Sequence, residues 1–275
     1  MYFLNINKPK GITSFDVIRF LRKKLNIKQI GHSGTLDPLA SGVMQVGIGS
    51  ATKLLDYLDS DKKYIADIKF GYKSDTFDDE GEKTFVAEPK FNKEILENAL
   101  KSFMGKTKQV PPKYSAIKIN GKKACNLARK NEEIEINPRE IEIYYIKLLN
   151  FSQDSAQIEV FCKKGTYIRS LANDLGEKLN CGAYLTDLKR TMAGNFNICD
   201  SDELEADKYK QINPLDCLNL SKYELNDFEF NKIKNGNFIL NKEFSENDLV
   251  LLTKNNKLVS IAKISDNLIK PKKVF

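Results

Sequence analysis

Histidine occurs once in the 275 residues, as His32. A zinc site built on several imidazoles is therefore excluded, and any Ser-His or Cys-His catalysis has to run through that one side chain. Cysteine is also scarce. Cys125, Cys162, Cys181, Cys199 and Cys217 are odd in number, widely spaced and never paired as C-x-x-C. That pattern argues against a disulfide framework and against structural zinc, and free thiols in a reducing compartment are expected. No stretch approaches the ~18–20 consecutive apolar residues of a membrane span. The opening Met1-Tyr2-Phe3-Leu4-Asn5 lacks the basic and apolar regions of a secretion signal, so the cytoplasm is the expected compartment. No Gly-x-x-x-x-Gly-Lys-Ser/Thr pattern exists, and Gly47-Ile48-Gly49-Ser50 lacks the third glycine of a dinucleotide fingerprint. Kinase and dehydrogenase chemistry have no footing here.

What is present is an ordinary globular balance, 41% hydrophobic and 29% charged, enough apolar material for a core. The formal net charge is +7, and its distribution says more than its size. Between Lys101 and Lys130 stand nine basic residues, Lys113, Lys118, Lys122 and Lys123 among them, and no Asp or Glu. Such a block suits a polyanion, whose attraction is independent of sequence, or is simply a solvated face. Like charges with few apolar anchors predict a flexible segment in the absence of a partner.

Along the chain, Thr13 or Ser14 can cap a helix carrying Ile18, Leu21 and Leu25 on one face, with Asp16 in its first turn. A glycine-punctuated loop, 31–42, leads into a short apolar strand over Val43–Ile48, and a helix is expected near Thr52–Leu58. Tyr64, Ala66, Ile68 and Phe70 alternate as the core side of a half-buried strand. Asn92 caps an amphipathic helix with Ile95, Leu96, Ala99, Leu100 and Phe103 on its apolar side. Asn120-Gly121 is a hairpin signal. Strands are expected over Ile134–Ile136, Ile141–Leu149 and Ala156–Cys162, then a helix from near Thr166. These elements predict an α+β domain around a mixed, largely antiparallel sheet with flanking helices. Beyond Pro214 the texture changes, and Phe228–Phe275 reads as short strands separated by Asn-Gly, Asn-Asp and Asn-Asn turns. Two domains are expected, 1–213 and a small β domain over 214–275.

Asp37 lies in the glycine-rich loop, where the backbone can adopt unusual φ values and a substrate can come close. Pro38 holds Asp37 in extended or turn geometry. A carboxylate so placed can be a nucleophile, a base or a metal ligand, or can organise its own turn.

The loop Gly31-His32-Ser33-Gly34-Thr35-Leu36-Asp37-Pro38-Leu39-Ala40-Ser41-Gly42 resembles the G-H-x-G-x-L-D-P-L-A-x-G motif of bacterial TruB-family tRNA pseudouridine-55 synthases. Three further stretches resemble that family's motifs in the same order: Lys62-Lys63-Tyr64, Tyr114–Lys118 with Asn120–Lys123, and Gly165–Ser170 with Asp174-Leu175-Gly176. The likeness runs from about Leu4 to Leu204.

The resemblance implies isomerisation of uridine-55 in the TΨC loop of tRNA, on a base flipped out of the loop, without metal or organic cofactor. It implies Asp37 as nucleophile, attacking either the uracil ring or ribose C1′. Arg169 would be its ion-pair partner, opposing the rise in pKa that desolvation brings. Tyr64 would stack on the target uracil and help remove the C5 proton. Tyr167 and Leu188 would line the pocket, and His32 would pack into the RNA where flipped bases leave a gap. Residues of about 101–135 would be an RNA-gripping insertion holding phosphates through Lys113, Lys118, Lys122 and Lys123. The C-terminal β domain resembles the PUA-like appendage of these enzymes. The expected partner is the tRNA T-arm alone, with a monomeric protein and no membrane. A non-catalytic tRNA-binding module or RNA-folding chaperone is the alternative, but neither needs a nucleophile with an ion-pair partner.

Overall fold

A computed structural model describes residues 1–115, 117–119, 121–124, 127 and 136–275. The first strand, β1 (Tyr2–Lys8), leads into α1 (Ser14–Leu25), and α1 into β2 (Ile30–Ser33) and β3 (Ser41–Ile48). Next come β4 (Lys62–Phe70), the small hairpin β5 (Tyr72–Ser74) and β6 (Lys83–Phe85), α2 (Lys93–Lys101) and β7 (Gly105–Gln109). A two-stranded ladder, β8 (Lys118–Ile119) and β9 (Lys122–Lys123), flanks Gly121 at positive φ; Asn120 of the expected Asn-Gly hairpin lies outside the described residues. Then follow β10 (Arg139–Phe151), β11 (Ser155–Cys162), α3 (Ile168–Lys178), β12 (Ala183–Ala193), β13 (Phe196–Asn197) and β14 (Asp202–Glu203).

Ten of these strands form one sheet in the order β14-β1-β3-β12-β4-β11-β10-β7, with β2 beside β3 and β13 beside β12, while β5–β6 and β8–β9 stand apart as two-stranded ladders. Only the β1–β14 and β3–β12 ladders are parallel. The alternation in β4 is what seats it centrally. Tyr64, Ala66, Ile68 and Phe70 are all buried, under α2 and α3, which contribute Leu96, Ala99 and Leu100, and Ile168, Leu171, Ala172 and Leu175. A second cluster packs Val17, Ile18 and Leu21 of α1 on Leu4 and Ile6 of β1 and Met44 and Val46 of β3. Thr13 and Asp16 close a capping box on α1, satisfying amide groups the helix leaves open.

Three expectations are modified here. The Thr52–Leu58 helix is a 3-10 helix running from Gly49 to Tyr57, its start displaced to the end of β3. Ile95 faces solvent at 49% exposure, because the stripe that packs on β10 is narrower than the apolar set of the sequence. Lys106 and Lys108, within the segment expected to be flexible, lie on β7, which pairs with β10 at the sheet's edge. Residues 116, 120, 125, 126 and 128–130 of that segment lie outside the described residues, as do 134 and 135 of the expected 134–136 strand.

The C-terminal part carries its own five-stranded sheet, β15 (Ser221–Glu224), β16 (Ile239–Leu240), β17 (Leu249–Lys254), β18 (Lys257–Ser265) and β19 (Leu268–Val274), in the order β15-β17-β18-β19-β16. It also holds a helix that the short-strand reading missed, α4 (Asp227–Lys234). Asn226 and Glu229 form a capping box at its start, a local signal strong enough to override the neighbouring aromatics. The tight β17–β18 and β18–β19 turns fall at Asn255-Asn256 and Asp266-Asn267, all four residues at positive φ, where Asn and Asp are the side chains most readily accepted. Leu251, Leu258 and Ile261 of this sheet share a core cluster with Phe3 and Val43 of the first and with Leu54 of the 3-10 helix, so the two sheets are joined by apolar packing.

Candidate active site

The loop between β2 and β3 is pinned from both sides. Ser14, buried at the first turn of α1, accepts a hydrogen bond from the Leu36 amide (2.8 Å) and donates to the Leu36 carbonyl (2.9 Å). The Gly11 amide donates to the Pro38 carbonyl (2.8 Å), and a turn closes from the Ala40 amide to the Asp37 carbonyl (3.1 Å). Past the loop, Gly42 lies against β12 at φ +106°, and a Cβ there would meet the Arg190 carbonyl oxygen at 2.2 Å. Only glycine allows that approach, which brings the loop onto the strand facing Tyr64.

Asp37 projects from this loop toward α3, where Arg169 is the second residue of the helix. One guanidinium nitrogen of Arg169 donates to Asp37 Oδ2 at 3.0 Å and the other to Asp78 Oδ2 at 3.1 Å. Arg169 also donates to the Tyr114 carbonyl (3.0 Å). The two carboxylates are not equivalent. The side chains of Arg169 and Asp78 are 6% and 2% exposed, whereas that of Asp37 keeps 39% of its surface open toward a cleft. Asp78 is thus the fixed counter-ion and Asp37 the one free to meet a ligand. Burial pushes the Asp37 carboxyl above the ordinary aspartate value; Arg169 draws it back down, and the charge of Asp78 adds to the rise.

The cleft holds about 250 Å³ and is lined by Asp37, Tyr64, Tyr167, Arg169, Leu188 and Lys62, among others. Tyr64 forms its floor, with burial pushing the phenol up to about 12 against the pull of the Arg190 guanidinium. Leu188 is 7% exposed, one cross-strand step away opposite Ala66. Tyr167 is positioned through its backbone: its amide donates to Gln109 Oε1 (2.8 Å), and Gln109 Nε2 donates to its carbonyl (3.0 Å). Ser170 donates to the Val110 carbonyl (2.8 Å), which ties the segment after β7 over the start of α3.

The expected Asp37, Tyr64, Arg169, Tyr167 and Leu188 therefore converge on one cleft, while His32 is not among the residues lining it. His32 is half-buried on β2 with its Nδ1 unpaired, and burial holds its imidazole below the usual value. Lys113 is exposed beyond Pro112, and the side chains of Lys118, Lys122 and Lys123 lie outside the described residues.

Four charged residues were not anticipated as part of the site: Lys62, which lines the cleft, and Asp78, Lys8 and Arg190, packed behind it. Asp78 sits in an acidic, loop-like run and carries no periodic signal. Lys8 and Arg190 do carry one. Lys8 continues the Leu4, Ile6 face of β1, and Arg190 lies two residues past Leu188, so each is a cation in phase with the core. Lys8 is fully buried, donates to the Pro9 and Ile12 carbonyls (2.8 and 2.7 Å), and has its pKa lowered to about 8, burial outweighing the attraction of Asp37. Arg190, also fully buried, donates to the carbonyls of Val43 (2.7 Å) and Gly34 (2.9 Å). Cross-strand pairing sets it directly opposite Tyr64.

Comparison with known proteins matches residues 22–168 to the model described as "TruB family pseudouridylate synthase (N terminal domain)" and residues 169–216 to "tRNA pseudouridylate synthase B C-terminal domain". Proteins named "tRNA pseudouridine synthase B" are similar along most of their length. The one from Fusobacterium nucleatum is 46% identical over 274 residues, covering 95% of each chain. The one from Caldanaerobacter subterraneus is 40% identical over 279 residues, covering 99% of this chain and 98% of the other. Among solved structures, "Crystal Structure of a Cbf5-Nop10-Gar1 Complex" aligns with a TM-score of 0.74 at 23% identity, over 99% of this chain and 84% of that one, a likeness of fold. With the family models and the relatives in agreement over most of its length, the chain belongs to the TruB family of pseudouridylate synthases.

Proposed function

We propose that this pseudouridine synthase isomerises uridine-55 in the TΨC loop of tRNA, with Asp37 as nucleophile on a flipped-out base and no cofactor. One observation carries the reading: a carboxylate open to the cleft, held at 3.0 Å by a guanidinium whose other arm is locked to a buried counter-ion. A nucleophile must stay ionised as a base closes over it, and Arg169 supplies the opposing charge there. The names of the relatives support tRNA as substrate.

In the reaction the bond from C1′ to N1 breaks, the base rotates, and C5 bonds to C1′. The C5 proton leaves and N1 gains one, so the product has the composition of the substrate. Asp37 attacks the uracil ring or ribose C1′, and Tyr64 stacks on the base and assists removal of the C5 proton. Tyr167 and Leu188 wall the pocket, and His32 fills the space the flipped base leaves in the RNA. The segment of about 101–135 grips phosphates through Lys113, Lys118, Lys122 and Lys123. Residues 1–213 are the catalytic domain, and 214–275 a PUA-like domain that holds the acceptor side of the tRNA. The enzyme works as a monomer in the cytoplasm.

The test is release of tritium from a T-arm stem-loop labelled at uracil C5, with wild type and Asp37→Asn side by side. Release by wild type alone, with RNA binding kept by both, is the expected result. Binding without release by either protein, on stem-loop and whole tRNA, would establish the non-catalytic binding module instead.

A further inference from the structure

Behind the loop that carries Asp37 two cations meet at a glycine. A methyl group placed on Gly34, which sits at φ +72°, would come within 3.0 Å of Lys62 Nζ and 3.4 Å of Nη1 of Arg190. Nη1 is buried and meets no hydrogen-bond geometry among the described residues; the neutral phenol of Tyr64 lies beside that guanidinium, and its other two nitrogens are satisfied by backbone carbonyls. Among the described residues neither Lys62 nor Arg190 has a carboxylate within ion-pair distance, and the cleft's own carboxylate, Asp37, is paired with Arg169. Two positive charges thus lie close together, one sealed and one facing the cleft, with no anion between them. Uncompensated buried charge is costly, and an anion placed beside it offsets part of that cost. The strain shows in Lys62, whose pKa is lowered to about 8, first by burial and then by repulsion from Arg190.

Lys62 and Gly34 both line the cleft, so an anion entering from solvent reaches Lys62 Nζ past a residue with no side chain. Arg190 is enclosed and acts through its field. It also holds the Gly34 carbonyl, turning that oxygen toward the protein and away from an arriving anion. A neutral base carbonyl would balance neither charge, whereas a phosphodiester brings a full negative charge and several acceptor oxygens.

We propose that Lys62, backed by Arg190 and approached past Gly34, is a binding post for one backbone phosphate next to the target nucleotide. It rests on RNA being the substrate, as argued above. Lys62 is then distinct in role from the lysines of the 101–130 segment: it fixes the strand where the flipped nucleotide leaves it, and its loss moves binding rather than only the chemical step.

The experiment measures stem-loop affinity by fluorescence anisotropy over a range of salt, for wild type and Lys62→Met. Uncharged methylphosphonates replace single linkages flanking the target uridine. Lys62→Met is expected to bind about tenfold more weakly and to lower the slope of log affinity against log salt by about 1. One methylphosphonate should weaken wild type by a similar factor and leave Lys62→Met unaffected. Lys62→Gln, with a polar end at the same depth, replaces the Met variant if the latter unfolds. An unchanged salt slope, or linkages that weaken both proteins equally, overturns the phosphate post while RNA as substrate stands. Failure of wild type to bind the stem-loop at all overturns both.

Discussion

Arg169 holds Asp37 and Asp78 in its two hands, at 3.0 and 3.1 Å, and only one of those carboxylates is open to solvent. The Asp78 half of this bridge is sealed in the protein, and the Asp37 half opens on the cleft. Removing Asp78 leaves a guanidinium enclosed without its fixed counter-ion, a loss of about 3–5 kcal/mol. Asp78→Ala is therefore expected to melt well below wild type in urea and heat. A stability within 1 kcal/mol of wild type, as an approximate bound, would show that Asp37 alone satisfies Arg169.

The same bridge sets the pH dependence. Asp37 is raised above the ordinary aspartate value, so acidification removes its charge at a higher pH than for a free aspartate. The acid limb of kcat/KM, which reports the free enzyme, should lie correspondingly high. Asp78 contributes to the rise, so Asp78→Asn should move that limb to lower pH. A limb that stays in place or rises contradicts the coupling.

Tyr64 separates shape from proton chemistry. Its ring is a buried part of the core, 7% exposed, while its hydroxyl reaches the cleft floor beside Arg190. Tyr64→Phe keeps the ring, so folding and stem-loop affinity should survive. If the phenol assists removal of the C5 proton, single-turnover tritium release should fall by about 10²–10⁴. A variant that releases tritium at the wild-type rate confines Tyr64 to packing.

Asp174 offers a test away from the cleft. Burial on α3 raises its carboxyl to about 6, against the hydrogen bond from Asn173. With its folded value above the unfolded one, its contribution is fully present below about pH 4 and lost as pH rises through 6. Asp174→Asn should thus stabilise the protein at pH 7 by on the order of 1–2 kcal/mol, allowing for solvent screening, and have little effect near pH 4. Denaturant unfolding at the two pH values measures the difference.

Local chemistry was enough, from sequence, for the elements whose signals are local. Thr13 and Asp16 define the start of α1, Asn92 that of α2, and the alternation from Tyr64 to Phe70 places β4 and its buried face. Asp37, Tyr64 and Arg169 could be named as well, because their motifs are long and ordered, and all three line one cleft. What tertiary structure alone decided is which charges meet. Asp78 is 91 residues from Arg169, and Arg190 is 156 from Gly34; no period or spacing along the chain encodes either contact. Those pairings follow from β12 lying between β3 and β4, a sheet order set by long-range strand pairing. The sequence determined the loop that carries Asp37 and the family to which its motif belongs. The fold decided that this loop is anchored on one buried cation and its carboxylate steered by another, because charges leave water only where packing supplies a partner.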